Sequence, residues 1–281
     1  MKNLNKTIML VLGMLVAASV TLNAQNFQGI ATYQSARKMG GISIKGSNMS
    51  PDMEKQLQES LKKMGQKEYE LKFNLTESTW AEVESLGDGP TTASAGGMVM
   101  SFSSGGGTKY KNTAENLFLN ETEVFSKPFL VESELKSREW QLTNEIKKIG
   151  NYNAQKAIFS EIVERTVISF DNDDNESKVT TDTISLEAWF TPEIPVSQGP
   201  DGFWGLPGLI MEITDGKTTY LCTKVILNPE GGVKIKRPSK GKKVTPEELK
   251  IIQDEKTKEM MEKYSQGSGD GKTIKIKIGG N

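Results

Sequence analysis

Oxygen-bearing side chains stand at alternate positions at Asp171, Asp173 and Asn175, and Asp182 follows eleven residues after Asp171. Such spacing can bring several oxygens to one hard cation, as in a calcium loop. The imitation is incomplete. Glu176 occupies the sixth position, where the sharp turn of that loop needs Gly, and Asp182 is shorter than the usual bidentate Glu. The stretch therefore reads as a solvated acidic hairpin tip over 171–178, with these four residues as weak metal candidates and no metal or cofactor expected. Gly105-Gly106-Gly107-Thr108-Lys109 imitates a phosphate loop, but Thr precedes Lys, and Tyr110 begins an extended pattern rather than a helix. It reads as a flexible linker. Cys222 is the one cysteine, and the chain has no histidine. A nucleophilic thiol needs a base, so Cys222 reads as a small buried thiol.

The missing histidine removes whole classes of chemistry. There is no Ser-His-Asp or Cys-His arrangement and no His-ligated zinc or haem. One cysteine permits no intrachain disulfide and no Cys-rich metal site. Carboxylate pairs stay open, because 36 acidic residues guarantee chance pairs and a sequence gives no distances. Tyr33, Trp80, Trp140, Trp189, Phe203 and Trp204 read first as core aromatics and second as the lining of a ligand cavity.

The N-terminus reads as a cleaved signal peptide over 1–24. Lys2 and Lys6 supply a positive start, 7–20 form an apolar run, and Ala24 offers a small residue before Gln25. The run is too short for a span of about 20 residues and has no basic stop-transfer cluster. No cysteine ends it, so a lipoprotein anchor there is excluded. The mature chain is then expected to be periplasmic, outer-membrane-associated or secreted, with no transmembrane segment. The full chain carries 35 basic and 36 acidic residues. Between 228 and 281 there are 13 basic and 8 acidic residues, a net +5 that complements the acidic body. No aromatic interleaves 234–243, which argues against nucleic acid as a partner.

Strand signals dominate the remainder. Tyr69, Leu71, Phe73 and Leu75 alternate with polar residues. Ile184, Leu186, Ala188 and Phe190 alternate with Ser185, Glu187 and Trp189; Leu209, Met211 and Ile213 form another such face. Leu221 and Val225 are placed opposite Cys222 by the same rule. Further strands are expected at 27–36, 78–85, 115–125, 128–135, 138–148, 152–159 and 161–170. Short turns without intervening helices predict a mainly β fold. Its form is a single curved antiparallel sheet, a half-barrel or open-barrel meander, with one or two flanking helices. One helix is expected over 51–65 behind Ser50-Pro51-Asp52. A second starts at Thr245-Pro246-Glu247-Glu248, a capping box, and runs to about Tyr264. Residues 87–107 are expected to be a loop. Residues 191–208 form another, rich in Pro and Gly yet bearing Ile194, Phe203, Trp204 and Leu206, so it should dock on the core. The domain reading is 1–24 signal, 25–243 β domain, and 244–281 basic C-terminal helix and strand or tail, the alternation at 273–278 suggesting a late edge strand.

At Gly205-Leu206-Pro207-Gly208-Leu209-Ile210 the chain resembles the GLPGLI family of exported Bacteroidota proteins, which is named for that hexapeptide. The resemblance extends over Ala188-Trp189-Phe190-Thr191-Pro192-Glu193-Ile194-Pro195, Gly199-Pro200 and Glu212-Ile213. It also takes in Trp140, Gly150-Asn151-Tyr152, Gln155-Lys156-Ala157, and the start with Gly29 and Tyr33. Many members carry Cys near the place of Ala154, and this chain departs from them there. The family has no established biochemical activity. The resemblance implies export and a curved antiparallel sheet similar to half-barrel lipoprotein-carrier and sigma-regulator folds. Within the hexapeptide, Pro207-Gly208 suits the centre of a type II turn, with Gly208 at positive φ and Leu206 and Leu209 buried on its two sides. The motif is expected to be a structural plug.

Together these readings predict a non-enzymatic cell-envelope binding protein for an amphiphile, lipoprotein part or peptide. Trp189, Phe203, Trp204 and Leu206 would line a concave apolar face that the 51–65 helix partly covers. An alternative is an accessory interaction module of an outer-membrane receptor or secretion complex, working through an edge strand or the basic C-terminal segment. A third reading is a hydrolase using carboxylates and a metal, motivated by the Asp171 cluster alone.

Overall fold

A computed structural model describes residues 27–37, 66–83, 91–95, 98–102, 107–171 and 174–267. The signal peptide expected at 1–24, the helix expected at 51–65 and the late strand expected at 273–278 lie outside the described residues. The chain forms a mainly β, open antiparallel sheet with one helix among the described residues. One meander comprises β1 (Gln28–Arg37), β2 (Glu68–Asn74), β3 (Glu77–Glu82), β6 (Lys109–Asn112), β7 (Leu117–Val124) and β8 (Lys127–Glu134). The other comprises β9 (Gln141–Ile149), β10 (Tyr152–Asp171), β11 (Asp174–Thr191), β12 (Leu209–Thr214) and β13 (Thr218–Leu227). Antiparallel pairing of β1 with β13 joins the two, and β14 (Lys242–Val244) adds to β8 in parallel. The resulting order is β14-β8-β7-β6-β3-β2-β1-β13-β12-β11-β10-β9. No described helix is long and apolar enough to cross a membrane.

Connectivity forces this sheet to curl. Strands β8 and β9 stand ten spacings apart in the order, a contour of about 48 Å at roughly 4.8 Å per strand. The chain joins them through 135–140 alone, whose full reach is about 24 Å. Only a sheet bent through more than half a circle brings those ends together. Register irregularities help it bend. Thr223 is the extra residue where Thr32 pairs with Lys224 and Tyr33 with Cys222, and Met211 is extra where Trp189 pairs with Glu212 and Phe190 with Ile210. Bulges of this kind raise twist and turn the strand.

They also overturn the simple alternation expected of β12 and β13. Leu209 and Met211 join the larger apolar cluster, whereas Ile210 and Ile213 join a second one. Cys222 lies in the larger cluster, and Val225 packs against that same cluster instead of opposing Cys222, while Leu221 is exposed. The larger cluster also contains Tyr33, Leu71, Phe73 and Trp80, and Tyr69 stacks on Trp80 at 4.7 Å. Leu75 falls in the turn after β2 and is exposed.

Other expectations change at the ends of elements. Residues 91–95 and 98–102, expected as loop, pair as a separate two-stranded sheet of β4 (Thr91–Ala95) and β5 (Met98–Phe102). The separate strands expected at 152–159 and 161–170 are one continuous β10. Residues 174–178, expected as part of a hairpin tip, belong to β11, and Asp171 pairs with Asp174. From the Ser160–Ser185 pair outward, β10 and β11 pair only with each other among the described residues. That makes an arm of roughly 37 Å at about 3.4 Å per residue.

The sheet's two edges differ. At β8, Phe129 and Val131 are covered by Val244 of β14 and by Leu249 and Ile252 of α1 (Pro246–Gly267). The capping box starts α1 as expected: Thr245 N donates to Glu248 Oε2 (2.9 Å) and Glu248 N to Thr245 Oγ1 (3.2 Å). At the opposite edge β9 has no outer neighbour among the described residues.

Across the fold, the buried Tyr33 hydroxyl donates to the Ile210 carbonyl at 2.6 Å, tying β1 to the start of β12. Tyr33→Phe leaves that carbonyl one donor short and should lower unfolding free energy by about 1–2 kcal/mol in urea titration. An unchanged midpoint would mean that the hydrogen bond contributes nothing to stability.

Candidate functional site

The 192–208 loop leaves β11, crosses to β3 and β6, and returns to β12. It docks on the core, as its apolar content predicts: Ile194, Val196 and Leu206 are buried with Gln198. The loop supplies its own backbone partners, Leu209 N donating to Ile194 O and Ile210 N to Gln198 O, both at 3.0 Å. Ser78 Oγ of β3 donates to Gln198 Oε1 at 2.8 Å. Leu206 and Leu209 enter different clusters, so the motif is gripped from two sides.

Glycine at 208 has a different cause from the expected one. Gly208 is absent from the positive-φ residues of the chain, which include Gly205 at φ 101°. What requires glycine at 208 is space. A Cβ there would sit 2.2 Å from the Thr191 carbonyl oxygen and 2.9 Å from Pro192 N, both backbone atoms. The motif thus uses Gly205 for its turn and Gly208 for the close crossing of the loop's two ends.

Strand β6 holds the loop's apex. Lys109 and Lys111 are two residues apart and project from the same face. Lys111 is buried, and its Nζ donates to Gly199 O and Phe203 O, both at 2.7 Å. Lys109 pairs with Asp201, which sits at the apex with φ 52°. From the β8–β9 connection, Arg138 donates weakly to Gly202 O at 3.4 Å and lies 4.9 Å over the Phe203 ring. Trp140 Nε1 donates to Trp204 O and Trp204 Nε1 to Lys136 O, each at 3.0 Å. Between apex and sheet lies a cleft of about 260 Å³, lined by Lys109, Phe118, Asn120, Arg138, Asp201, Gly202 and Phe203.

Burial dominates the electrostatics. It pushes the Lys111 amine down to about 7, with Arg138 and Lys109 adding to the effect and Asp201 opposing it. Burial also lowers Arg138, against the pull of Asp201 and Glu161. The Cys222 thiol is driven up to about 12 by burial, as befits an inert core group.

The structure separates residues that the sequence reading placed together. Trp189 points away from Ala188 and Phe190 and is buried under Lys147, 4.2 Å from its ring centroid. Its Nε1 donates to Glu187 at 2.9 Å. Phe203 and Leu206 belong with the Ala188–Phe190 cluster. Trp189, Phe203, Trp204 and Leu206 therefore do not line one face, and of the four only Phe203 borders the cleft. Of the calcium-loop candidates Asp173 lies outside the described residues, and the backbone holds Asp182 far from Asp171. Asp171 pairs with Asp174, and Asp182 pairs with Val163 eight residues farther along β11. That separation is about 27 Å in extended chain. No acidic group suited to a metal occurs among the described residues. Lys109, the end of the imitation phosphate loop, leads into a strand. Lys111, Asn120, Arg138 and Asp201 had no signal in the sequence: a lysine at alternate strand positions ordinarily means a wet face.

A family model described as "Protein of unknown function (Porph_ging)" matches residues 140–212, which hold β9 to β12 and the loop. No curated protein matches the chain. Two crystal forms of PNGF-II, in space groups C2 and P21, are similar at 13% identity and a TM-score of 0.44. The match covers 82% and 80% of this chain but only 32% and 33% of theirs, so the chain spans about a third of those structures.

Two outcomes are expected. Gly208→Ala should destabilise the fold by about 1–3 kcal/mol in urea, because two backbone segments must separate, whereas exposed Pro207→Ala should stay within about 0.5 kcal/mol. Between about pH 7 and 9 the unfolded chain holds a proton on Lys111 that the folded chain sheds, so stability should rise with pH. The slope approaches at most about 1.4 kcal/mol per pH unit. Above about pH 9 the trend should reverse, since unfolding then lets Cys222 and the buried tyrosines Tyr33 and Tyr69 ionise. Denaturation midpoints across pH 6–10 check the sign, and Lys111→Met should remove the rise.

Proposed function

We propose that this chain is an exported, non-enzymatic interaction protein of the cell envelope, of the GLPGLI group, that takes a partner's extended segment along β9. The observation that supports this reading is the contrast between the two edges. One is closed by β14 and α1, whereas the open edge carries Leu142 and Ile146 at 51% and 70% exposure, with Ile162 of the arm at 74%. A strand edge with unpaired backbone groups recruits another strand, and soluble proteins usually blunt such edges. The family match covers this same edge, the arm and the loop. Among the described residues Tyr33, Phe73, Phe190 and Leu206 are buried inside the apolar clusters, so the exposed apolar side chains of the open edge are the surface this reading uses.

Site-specific photocrosslinking in the native envelope tests the proposal. A probe at Ile146 or Ile162 should give one discrete protein adduct, and a probe at exposed Ile251 on the capped side should give none. Ile146→Asp should abolish the Ile162 adduct while leaving stability within about 0.5 kcal/mol, as for a surface change. Equal labelling from all three positions, or none from β9 and the arm, would overturn it.

A further inference from the structure

The cleft beneath the loop apex uses other residues than β9 and stands apart from the reading above. We propose that it is a binding site for a monoanionic carboxylate carried on a flat apolar body.

Three observations converge. The first is unspent donors. A guanidinium has five N–H groups, and Arg138 uses one, in a long contact to Gly202 O, among the described residues. The Asn120 side-chain amide makes no hydrogen bond among the described residues, yet lines the same cleft. The second is charge. Lys109 and Arg138 line the cleft with a single carboxylate, Asp201, which Lys109 already engages. Glu161 also faces Arg138 but is bonded to Lys136 at 2.6 Å. A half-buried surplus of positive charge is relieved by an incoming anion. The third is shape. Phe118 and Phe203 line the same cleft, and Arg138 already stacks on Phe203, leaving apolar rings for an apolar body beside the donors.

The same observations choose the anion. Asp201 is an acidic side chain on the wall of the cleft, so a dianion would meet more repulsion there than a monoanion. An arginine fork matches the two oxygens of a carboxylate. The apolar walls then favour a carboxylate with a ring or planar chain over acetate.

Benzoate is the probe, with acetate and inorganic phosphate as comparators, titrated into the exported chain and followed by amide chemical shifts. Benzoate should shift cleft residues saturably, with a dissociation constant on the order of a millimolar. Acetate and phosphate should bind at least several-fold more weakly. Arg138→Gln should weaken benzoate tenfold or more, and Asn120→Ala should weaken it less, with both spectra otherwise preserved. Should Arg138→Gln fail to fold, Lys109→Gln is the second variant: benzoate should bind it more weakly than it binds the wild-type chain. Unsaturable shifts, benzoate binding unaffected by these changes, or phosphate binding as tightly as benzoate would overturn the proposal.

Discussion

A single buried amine holds the centre of this molecule. Lys111 has left water entirely, and its charge is offset by two backbone carbonyls rather than by a direct ion pair. Such burial is tolerable because the amine loses its proton near neutrality and still keeps two N–H groups, enough for both carbonyls. What the arrangement secures is the path of the 192–208 loop. That loop would otherwise be a Pro- and Gly-rich segment with little reason to stay in one place. Once its apex is tied to β6, Ile194, Val196 and Leu206 are carried into the core, and the strands on either side are drawn over one another.

The curled sheet and the docked loop depend on each other. The short 135–140 connection requires the two ends of the sheet to approach, and Arg138 and Trp140 within it grip the loop's carbonyls. Bulges at Met211 and Thr223 provide local bending, and they bring both faces of β12 into apolar surroundings. The glycine at 208 belongs to the same economy of space, because it lets the end of β11 and the start of β12 pass within backbone contact. The hexapeptide is therefore largely a packing solution, in which Leu206, Gly208, Leu209 and Ile210 are buried against other segments while Pro207 stays exposed.

Closing the sheet's interior leaves chemistry at its margins. One edge is blunted by a strand and a helix, and the other presents β9 and a long two-stranded arm. A hairpin of that length has little support of its own, since isolated two-stranded ribbons are marginal in water. The arm's form makes mechanical sense when something else packs along it. The small cleft near the loop apex is a separate region, fixed by the loop and not by the edge.

Much of the architecture was legible in the residues. Period-two alternation marks β2 and the inner half of β11, the succession of strands without helices implies an antiparallel sheet, and Thr245 to Glu248 announces a helix start. These are local signals, set by side chains within a few positions of one another. The loop's docking was legible too, because large apolar groups in a loop must find cover. The cleft was not. Lys109 and Lys111 carry the pattern of a solvated strand face, and only a segment arriving some 90 residues later turns one into a buried tether and the other into a wall. The split of Trp189 from Leu206, the reason for Gly208 and the open edge at β9 were decided the same way. Bulges reverse facing without altering composition, and close approach is a property of two chain segments. Local chemistry fixed the elements, and long-range contact alone decided which of their faces meet.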